Sequence, residues 1–456
     1  MLSALISPIR TDQRGDIRLC DHIRDTADAL LDRRGIIVAG MWRISKYNRI
    51  EEMHVFRSGL SGYVPIGLFV FEGGSSRRLG RFAYSSDYLA SEGRRPIDPI
   101  GLPLGNKWRP ATVGEVHLAF HDVGPDGWGK GILTHVFPEL ELGMPEFLAL
   151  GGLSRTGDLA FGSTPEAPES WIPRMEAALE RAQSEDDLEG ALIAAEKYEE
   201  GEASARQLAQ LLIHSSDIGG ARPKARVRIS DKEWIAKFSA WDDRFDNPRA
   251  EAVCLDFAEA AGLQVPEREL RVVNDRPVLL VSRFDRSSAG ACLSYLSAGT
   301  LLGEPAYGYA TSKTYLDIAA AARRIGAQEP EREMFRRLLV NAYLRNTDDH
   351  LRNHAFINDG TGWNLSPVFD VVPHPSGTKH VCAPAPGISR ECDASTAFAA
   401  YIKFGLSAAD ASSILDEVHE ATSRIPVFLD ARGVSRRDRE ILLACFGSLP
   451  RTTAPQ

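Results

Sequence analysis

Apolar positions along this chain fall into two textures. From about residue 53, short apolar runs dominate: His54-Val55-Phe56, Tyr63 to Phe71 and Arg81 to Tyr84, broken by Gly and Ser. Runs of that length bounded by turn residues predict strands. The Pro/Gly-rich stretch Arg95 to Pro110 reads as loop, followed by Val116 to Phe120 and the turn-rich Pro125-Asp126-Gly127-Trp128-Gly129-Lys130. Residues 51–165 therefore read as one small β-rich subdomain. Pro165 to Pro173 reads as a linker. Arg174 to Leu212 reads as charged helix, interrupted at Glu199-Glu200-Gly201-Glu202, a charge run of the kind that usually faces solvent. Residues 1–50 are helix-prone and basic, an extension whose role the pattern does not disclose.

The second half switches period. Ala225 to Ile229, the turn Ser230-Asp231-Lys232 and Trp234 to Phe238 predict a hairpin. Arg249 to Ala261 is a helix with Val253, Phe257 and Ala261 on one face and Gly262 as its cap. Glu269 to Val273, Asn274-Asp275 and Pro277 to Val281 make a second hairpin. From about residue 300 the chain reads as mostly helical. Phe335, Leu338, Leu339, Ala342 and Tyr343 form an i, i+3, i+4, i+7, i+8 stripe that faces a core. Ser407 to Ile425 and Ser435 to Phe446 are the clearest later helices. Between that stripe and these later helices a short hairpin is predicted from His354-Ala355-Phe356-Ile357, the turn Asn358-Asp359-Gly360 and Trp363-Asn364-Leu365. Residues 166–300 and 301–456 are assigned to the next two parts of the chain, and the fold class is α+β.

The candidate chemistry sits on the loop between that striped helix and that hairpin. Asn346-Thr347-Asp348-Asp349-His350-Leu351-Arg352-Asn353 is followed by Ser366-Pro367-Val368-Phe369-Asp370. A carboxylate at Asp348 can accept the proton of an attacking hydroxyl. An amide five residues on, Asn353, and a carboxylate beyond the hairpin, Asp370, can hold magnesium against nucleotide phosphates. Protein-kinase catalytic loops space Asp and Asn in this way, although His-Arg is missing before Asp348 and Val371 stands where Gly would follow. The form Asp-x-His-x-x-Asn is closer to lipid-kinase and atypical-kinase loops. Asp, Asn and His also gather in loops simply to satisfy turns. His350 and His354 share metalloprotease spacing, but Leu351 occupies the general-base position, which rules that chemistry out.

Upstream elements extend the pattern. Ser215-Ser216-Asp217-Ile218-Gly219-Gly220-Ala221-Arg222-Pro223-Lys224 can lay backbone N–H groups against phosphate oxygens, though it is not a Walker A loop. Lys237 stands among apolar neighbours on a strand, where an ammonium needs an anion or must snorkel from an edge. Glu251 opens the next helix, as a partner for that lysine or as an ordinary N-terminal acid. Ser282-Arg283-Phe284-Asp285-Arg286 falls where a hinge would contact adenine. Glycine loop, lysine strand, acidic helix, hinge, Asp/Asn loop and final Asp succeed one another in the order of a bilobal kinase.

Composition narrows the picture further. The chain has 456 residues, 43% hydrophobic and 25% charged, with a formal charge of -9, so no broad basic field for nucleic acid is implied. No window approaches the ~20 apolar residues of a membrane span. The start, Met1 to Pro8, is too short and uncharged for a signal peptide. Cys20, Cys254, Cys292, Cys382, Cys392 and Cys445 are scattered without a Cys-x-x-Cys pair, which favours reduced thiols in cytoplasm.

These residues resemble the HipA-type serine/threonine kinases, the toxins of bacterial toxin–antitoxin modules. The resemblance is carried by Asp126-Gly127-Trp128-Gly129, Gly220 to Lys224, Trp234 to Phe238, Leu280 to Arg286, Asn346 to Asn353 and Pro367 to Asp370. It spans roughly residues 53–446. It implies a HipA-like bilobal fold with a β-rich N-terminal lobe and a helical C-terminal lobe. It implies ATP and Mg2+ as cofactors, Asp348 as catalytic base and Lys237 as the phosphate-binding lysine. Asn353 and Asp370 become the metal ligands, and Gly219, Gly220 and Ala221 the phosphate-covering loop. Glu251, Arg283, Phe284 and His350 complete the nucleotide site. Family members phosphorylate protein hydroxyls, including those of aminoacyl-tRNA synthetases, and many are held by a HipB-like helix-turn-helix antitoxin, which would be the only link to DNA. The loop serine that is autophosphorylated in the family falls at Asp217 here, with Ser215 and Ser216 just before it. Two other readings remain: a silent nucleotide-binding scaffold acting as transcriptional co-repressor, and a small-molecule or lipid kinase.

Overall fold

The computed structural model describes residues 42–45, 49–59, 62–74, 77–138, 140–171, 187–304 and 311–450. Most of the expected 1–50 extension, with Cys20, lies outside the described residues, as do 172–186 of the expected linker and charged helix. The described chain forms two compact units, one of residues up to Arg95 with Leu104–Asp231, the other of Pro96–Pro103 with Lys232 onward.

The first unit runs β1 (Glu52–Gly59), β2 (Gly62–Gly74), β3 (Arg77–Tyr84), α1 (Ser86–Ala90), β4 (Arg109–Pro110), α2 (Leu118–Asp122), α3 (Gly127–Val136), α4 (Met144–Leu150), β5 (Leu159–Gly162), α5 (Asp187–Glu199), α6 (Ala205–Ser215) and β6 (Lys224–Ile229). Strands β4-β3-β2-β1-β5 form one sheet in that order, antiparallel throughout. Alternation along β2 turns Phe69 and Phe71 to the same buried face. Phe69 stacks on Phe71 with centroids 4.8 Å apart and meets Phe120 of α2 edge-on at 5.0 Å. Aromatic pairs in these arrangements add to the burial of their own area.

Two sequence expectations change here. Val116 to Phe120 and the turn-rich Pro125 to Lys130 contain the starts of helices, α2 at Leu118 and α3 at Gly127. Gly127 and Gly129 in α3 serve close approach instead of a turn. A Cβ on Gly129 would lie 2.6 Å from the Ser216 carbonyl oxygen and 3.0 Å from Pro125 Cβ. The expected linker is exposed at 165–167 but packed at Ser170 and Trp171. Trp171 is buried, its backbone N–H donates to Ala149 O at 2.8 Å, and the Glu169 backbone N–H donates to Phe161 O at 2.9 Å. Burying an indole, whose area is large, outweighs the loop-forming composition around it.

The second unit runs β7 (Lys232–Lys237), α7 (Asn247–Ala260), β8 (Arg268–Val273), β9 (Arg276–Ser282), β10 (Ser294–Ser297), α8 (Ala298–Leu302), α9 (Tyr315–Arg324), α10 (Pro330–Leu344), β11 (Ala355–Asn358), β12 (Trp363–Leu365), α11 (Ala394–Ala399), α12 (Ala408–Thr422), α13 (Ile425–Ala431) and α14 (Arg436–Cys445). Strands β7-β9-β8 are antiparallel neighbours. The β8–β9 turn places Asn274 and Asp275 at φ 49° and 61°, the left-handed pair that matches strand twist. Strands β10-β11-β12 form a second antiparallel sheet. Helix α10 buries its apolar stripe, and Phe257 of α7 stacks on Tyr343 at 5.0 Å. Among the described residues no helix is long and apolar enough to cross a membrane.

Candidate active site

Lys237 ends β7 opposite Leu279 of β9. Its ammonium neither snorkels nor stays alone: Nζ donates to Glu251 Oε1 at 2.6 Å and to Asp370 Oδ1 at 2.9 Å. The Lys237 side chain is 18% exposed and that of Glu251 6%. Burial by itself would lower the lysine's pKa, but the Asp370 and Glu251 carboxylates outweigh it and hold the ammonium above its ordinary range. A charge this covered is stable only because it is paired. Helix α7 is buried along most of its length, which fixes Glu251 from the other side.

Asp370 arrives from the third direction. After β12, Ser366 N–H donates to Ala355 O at 2.8 Å, Arg337 Nη2 donates to Ser366 O at 2.6 Å, and Val368 N–H donates to Gln264 O at 2.8 Å. Asp370 itself holds φ 59°, in the left-handed region. Asp tolerates that conformation better than most side chains because its short polar group can bond locally.

The Asp/Asn loop begins where α10 stops. Arg345 takes a left-handed φ of 56° and Asn346 N–H returns to Asn341 O at 2.9 Å. Asp348 then stands exposed between Thr347 and Asp349, which are buried. Leu351–Asn353 is a single 3₁₀ turn. Asn353 N–H donates to His350 O at 2.9 Å, and Asn353 Nδ2 reaches the Asp348 carbonyl at 3.4 Å. His350 is half-buried and shapes this turn through its backbone.

Asp349 faces inward. Its Oδ2 accepts from Asn341 Nδ2 at 2.7 Å, lies 2.8 Å from His354 Nε2, and accepts the Tyr315 hydroxyl. Burial would raise the carboxyl's pKa, yet the charge and hydrogen bonds of His354 and the Tyr315 hydroxyl hold it below the usual carboxylate range. Burial and the same carboxylate push the Tyr315 phenol well up, so it stays a donor.

At the expected hinge, Arg283 is committed to carboxylates. Its Nε and Nη2 meet Asp285 at 3.0 and 2.7 Å, and Nη1 meets Glu233 at 3.0 Å. Phe284 lies between Tyr295 and Phe369, with centroids 6.4 and 5.2 Å away, next in sequence to Asp370.

The glycine loop belongs to the first unit. Gly219 O accepts from Lys224 Nζ at 2.9 Å, and Gly220 O accepts from the Trp128 backbone N–H at 3.0 Å. Gly220 has φ 96°, and a Cβ there would lie 2.2 Å from Lys224 Nζ. A Cβ on Gly127 would lie 3.2 Å from Ala221 Cα. Ser215, Ser216 and Asp217 are buried, and Asp217 pairs with Arg226 at 3.0 Å.

The structure thus brings Lys237, Glu251 and Asp370 to one point, joins Asp348 to Asn353 through a short turn, and sets Phe284 beside Phe369. Sequence reasoning missed Glu233, Tyr295, Tyr315 and Asn341. Asn341 carried a signal: it is a polar residue inside the buried stretch of α10.

Comparison with known proteins bears on the fold and the domain family. Residues 216–425 match the family model of the HipA-like C-terminal domain. The chain is 28% identical over 132 residues to Y4mE of Sinorhizobium fredii, which carries the name of a kinase; the match covers 27% of this chain and 31% of that relative's length. In fold it is similar to HipA of Shewanella oneidensis MR-1, solved with HipB and its operator DNA. That match has a TM-score of 0.59 and 15% identity, and covers 86% of this chain and 94% of the other. The domain family whose model matches over residues 216–425 is the one the motifs resemble, and the fold over most of the chain is like that of HipA.

Proposed function

We propose that this chain is an ATP- and magnesium-dependent protein kinase of the HipA type, acting on serine or threonine hydroxyls. The observation that carries this is the Lys237 ammonium held by Glu251 and Asp370 in one cluster. A lysine, a helix glutamate and a post-hairpin aspartate meeting in this way is the arrangement by which kinases grip a triphosphate.

The donor set suits magnesium. The Asp370 carboxylate and the Asn353 amide are hard oxygen donors of the kind that ion takes, few enough to leave positions for phosphate oxygens. Bound there, the ion would offset phosphate charge. Lys237 would hold the α- and β-phosphates. Asp348, exposed and flanked by buried neighbours, would accept the proton of the attacking hydroxyl. That oxygen bonds to the γ-phosphorus, the bond to the β–γ bridging oxygen breaks, and ADP leaves. Phe284 would line the adenine side, with Arg283 supporting it through Asp285 and Glu233.

Substrate and partner follow by kinship. The Shewanella relative was solved with HipB and operator DNA, so a helix-turn-helix antitoxin is the proposed partner here, with DNA reached only through it. A translation protein such as an aminoacyl-tRNA synthetase is the proposed target, and growth arrest the consequence.

The test is labelling with γ-labelled ATP and magnesium, followed by phosphoproteomics after brief expression of wild type and Asp348→Asn. Loss of a positioned base should lower transfer ~100-fold or more. Equal protein phosphorylation by a folded Asp348→Asn chain would overturn the reading. Labelled metabolites with unlabelled protein would replace it with a small-molecule kinase.

A further inference from the structure

The Asp/Asn loop holds two adjacent carboxylates, and nothing in the residue types says which should face the substrate. The backbone turns at Thr347 and Asp348, so the two carboxylates do not share one environment. Here Asp349 is the one turned in, 3% exposed. Its acceptors are met by three donors from three elements: Asn341 on α10, Tyr315 on α9 and His354 at the entry to β11. Asn341 is itself tied, its Oδ1 accepting from Asn346 Nδ2 at 3.0 Å. Thr347 is held from a second side, its carbonyl accepting the Val381 N–H at 3.2 Å. A Cβ on Gly377 would overlap the Thr347 hydroxyl, 1.9 Å away. The residues on either side of Asp348 are therefore clamped, while Asp348 is left exposed.

We propose that Asp349 is a positioning residue: by docking into the Asn341–Tyr315–His354 cradle it selects Asp348 as the exposed acid and fixes where that carboxylate points. This rests on the reading of Asp348 as the proton acceptor. A buried carboxylate leaves its donors only at a cost, so the cradle resists both a one-residue slip and a rotation of the loop. Placement of a reacting group to within about 1 Å is worth ~100-fold in rate, and the cradle supplies that placement from outside the reacting atoms.

The experiment measures magnesium-dependent ATP turnover for Asp349→Asn, Tyr315→Phe, Asp348→Asn and the double variant Asp348→Asn with Asp349→Asn. Asp349→Asn should lower kcat ~10- to 100-fold with KM for ATP within about twofold. Tyr315→Phe, which removes one donor and keeps the ring, should lower kcat by several-fold and serves if Asp349→Asn does not fold. The double variant should turn over within about twofold of Asp348→Asn alone, because a misplaced Asp348 that is already gone has nothing more to lose. Wild-type kcat in folded Asp349→Asn, or in Tyr315→Phe if only that one folds, overturns the proposal. So does a double variant whose losses multiply, since that is the pattern of an independent, merely structural role. If Asp348→Asn keeps wild-type turnover, the functional reading falls first and takes this proposal with it. If only Asp348→Asn is impaired, the functional reading stands and this one falls.

Discussion

Lys237 and Asp370, 133 positions apart in the chain, meet with Nζ and Oδ1 2.9 Å apart. The contact closes a loop that includes α7, the β8–β9 hairpin, α9 and α10, so it forms only when the second unit is assembled. Glu251 takes the same ammonium at 2.6 Å. One cation serving two carboxylates leaves Asp370, the more exposed of the two at 45% against 6% for Glu251, as the partner more easily released to a metal ion.

That asymmetry separates stability from activity. Lys237→Met should abolish magnesium-dependent ATP turnover and leave Glu251 as a buried, uncompensated carboxylate. Breaking a buried pair from one side costs on the order of 3 kcal/mol, visible as a lower thermal midpoint. Adding Glu251→Leu removes the stranded charge and should restore much of the midpoint without restoring turnover. A double variant no more stable than Lys237→Met would show that the pair does not carry that burden. The check is thermal unfolding beside ATP turnover.

Asp370 offers a second separation, through its backbone. At φ 59° Asn is tolerated about as well as Asp, whereas Ala pays for the contact of Cβ with the following carbonyl, about 1 kcal/mol. Asp370→Asn should therefore unfold near the wild-type midpoint, and Asp370→Ala measurably lower. Both should lose magnesium-dependent turnover, because neither carries the carboxylate. Equal midpoints for the two variants would remove the backbone argument. Turnover retained by either would remove Asp370 from the metal site.

Which parts of this were legible in the chain follows from the range of each signal. The α10 stripe from Phe335 to Tyr343 and the Asn274-Asp275 turn are local patterns, and the structure keeps them where periodicity and turn chemistry place them. The order of Lys237, Glu251, Asp348, Asn353 and Asp370 was also readable, because each rides on an element predicted from its own neighbours. What stayed hidden depends on contacts across the fold. Asp349 is buried because Tyr315, 34 positions away, supplies a hydroxyl, and no local rule links the two. Trp171 turns an expected linker into packed chain by finding Ala149. Gly129 read as turn because its composition is that of a turn, while its actual neighbour is a carbonyl on Ser216.

Two of the three α3 glycines, Gly129 and Gly131, should respond oppositely to alanine. At Gly129 the new Cβ meets a backbone oxygen at 2.6 Å, which cannot move without the 216 segment. Gly129→Ala should therefore destabilise by ~1–3 kcal/mol, as overpacking does. At Gly131 the nearest atom is the Tyr198 hydroxyl at 3.2 Å, the far end of a side chain, and alanine gains up to about 1 kcal/mol of helix propensity. Gly131→Ala should be neutral or stabilising. Chemical denaturation of the two variants decides it; a harmless Gly129→Ala would mean the 216 segment is not tightly seated.

Acid should weaken the fold through buried imidazoles. Burial, with Arg109 nearby, holds His117 at about 4, while its Nε2 lies 3.0 Å from the Arg109 carbonyl and its ring sits 5.7 Å from Phe69. His214 and His380 are likewise held at about 4, chiefly by burial. An unfolded histidine titrates near 6.5. Between about 6.5 and 4 the unfolded chain binds a proton that the folded ring refuses, so stability is full above 6.5 and falls as pH drops through that window. The full shift at one such site is worth on the order of 3 kcal/mol. His117→Phe, which keeps an aromatic ring beside Phe69 and removes the titration, should unfold with a shallower dependence on pH between 6.5 and 4. Denaturant midpoints at half-unit pH steps measure this. A slope equal to wild type would mean that His117 is protonated as readily inside the fold as outside it, which its place in the aromatic core argues against.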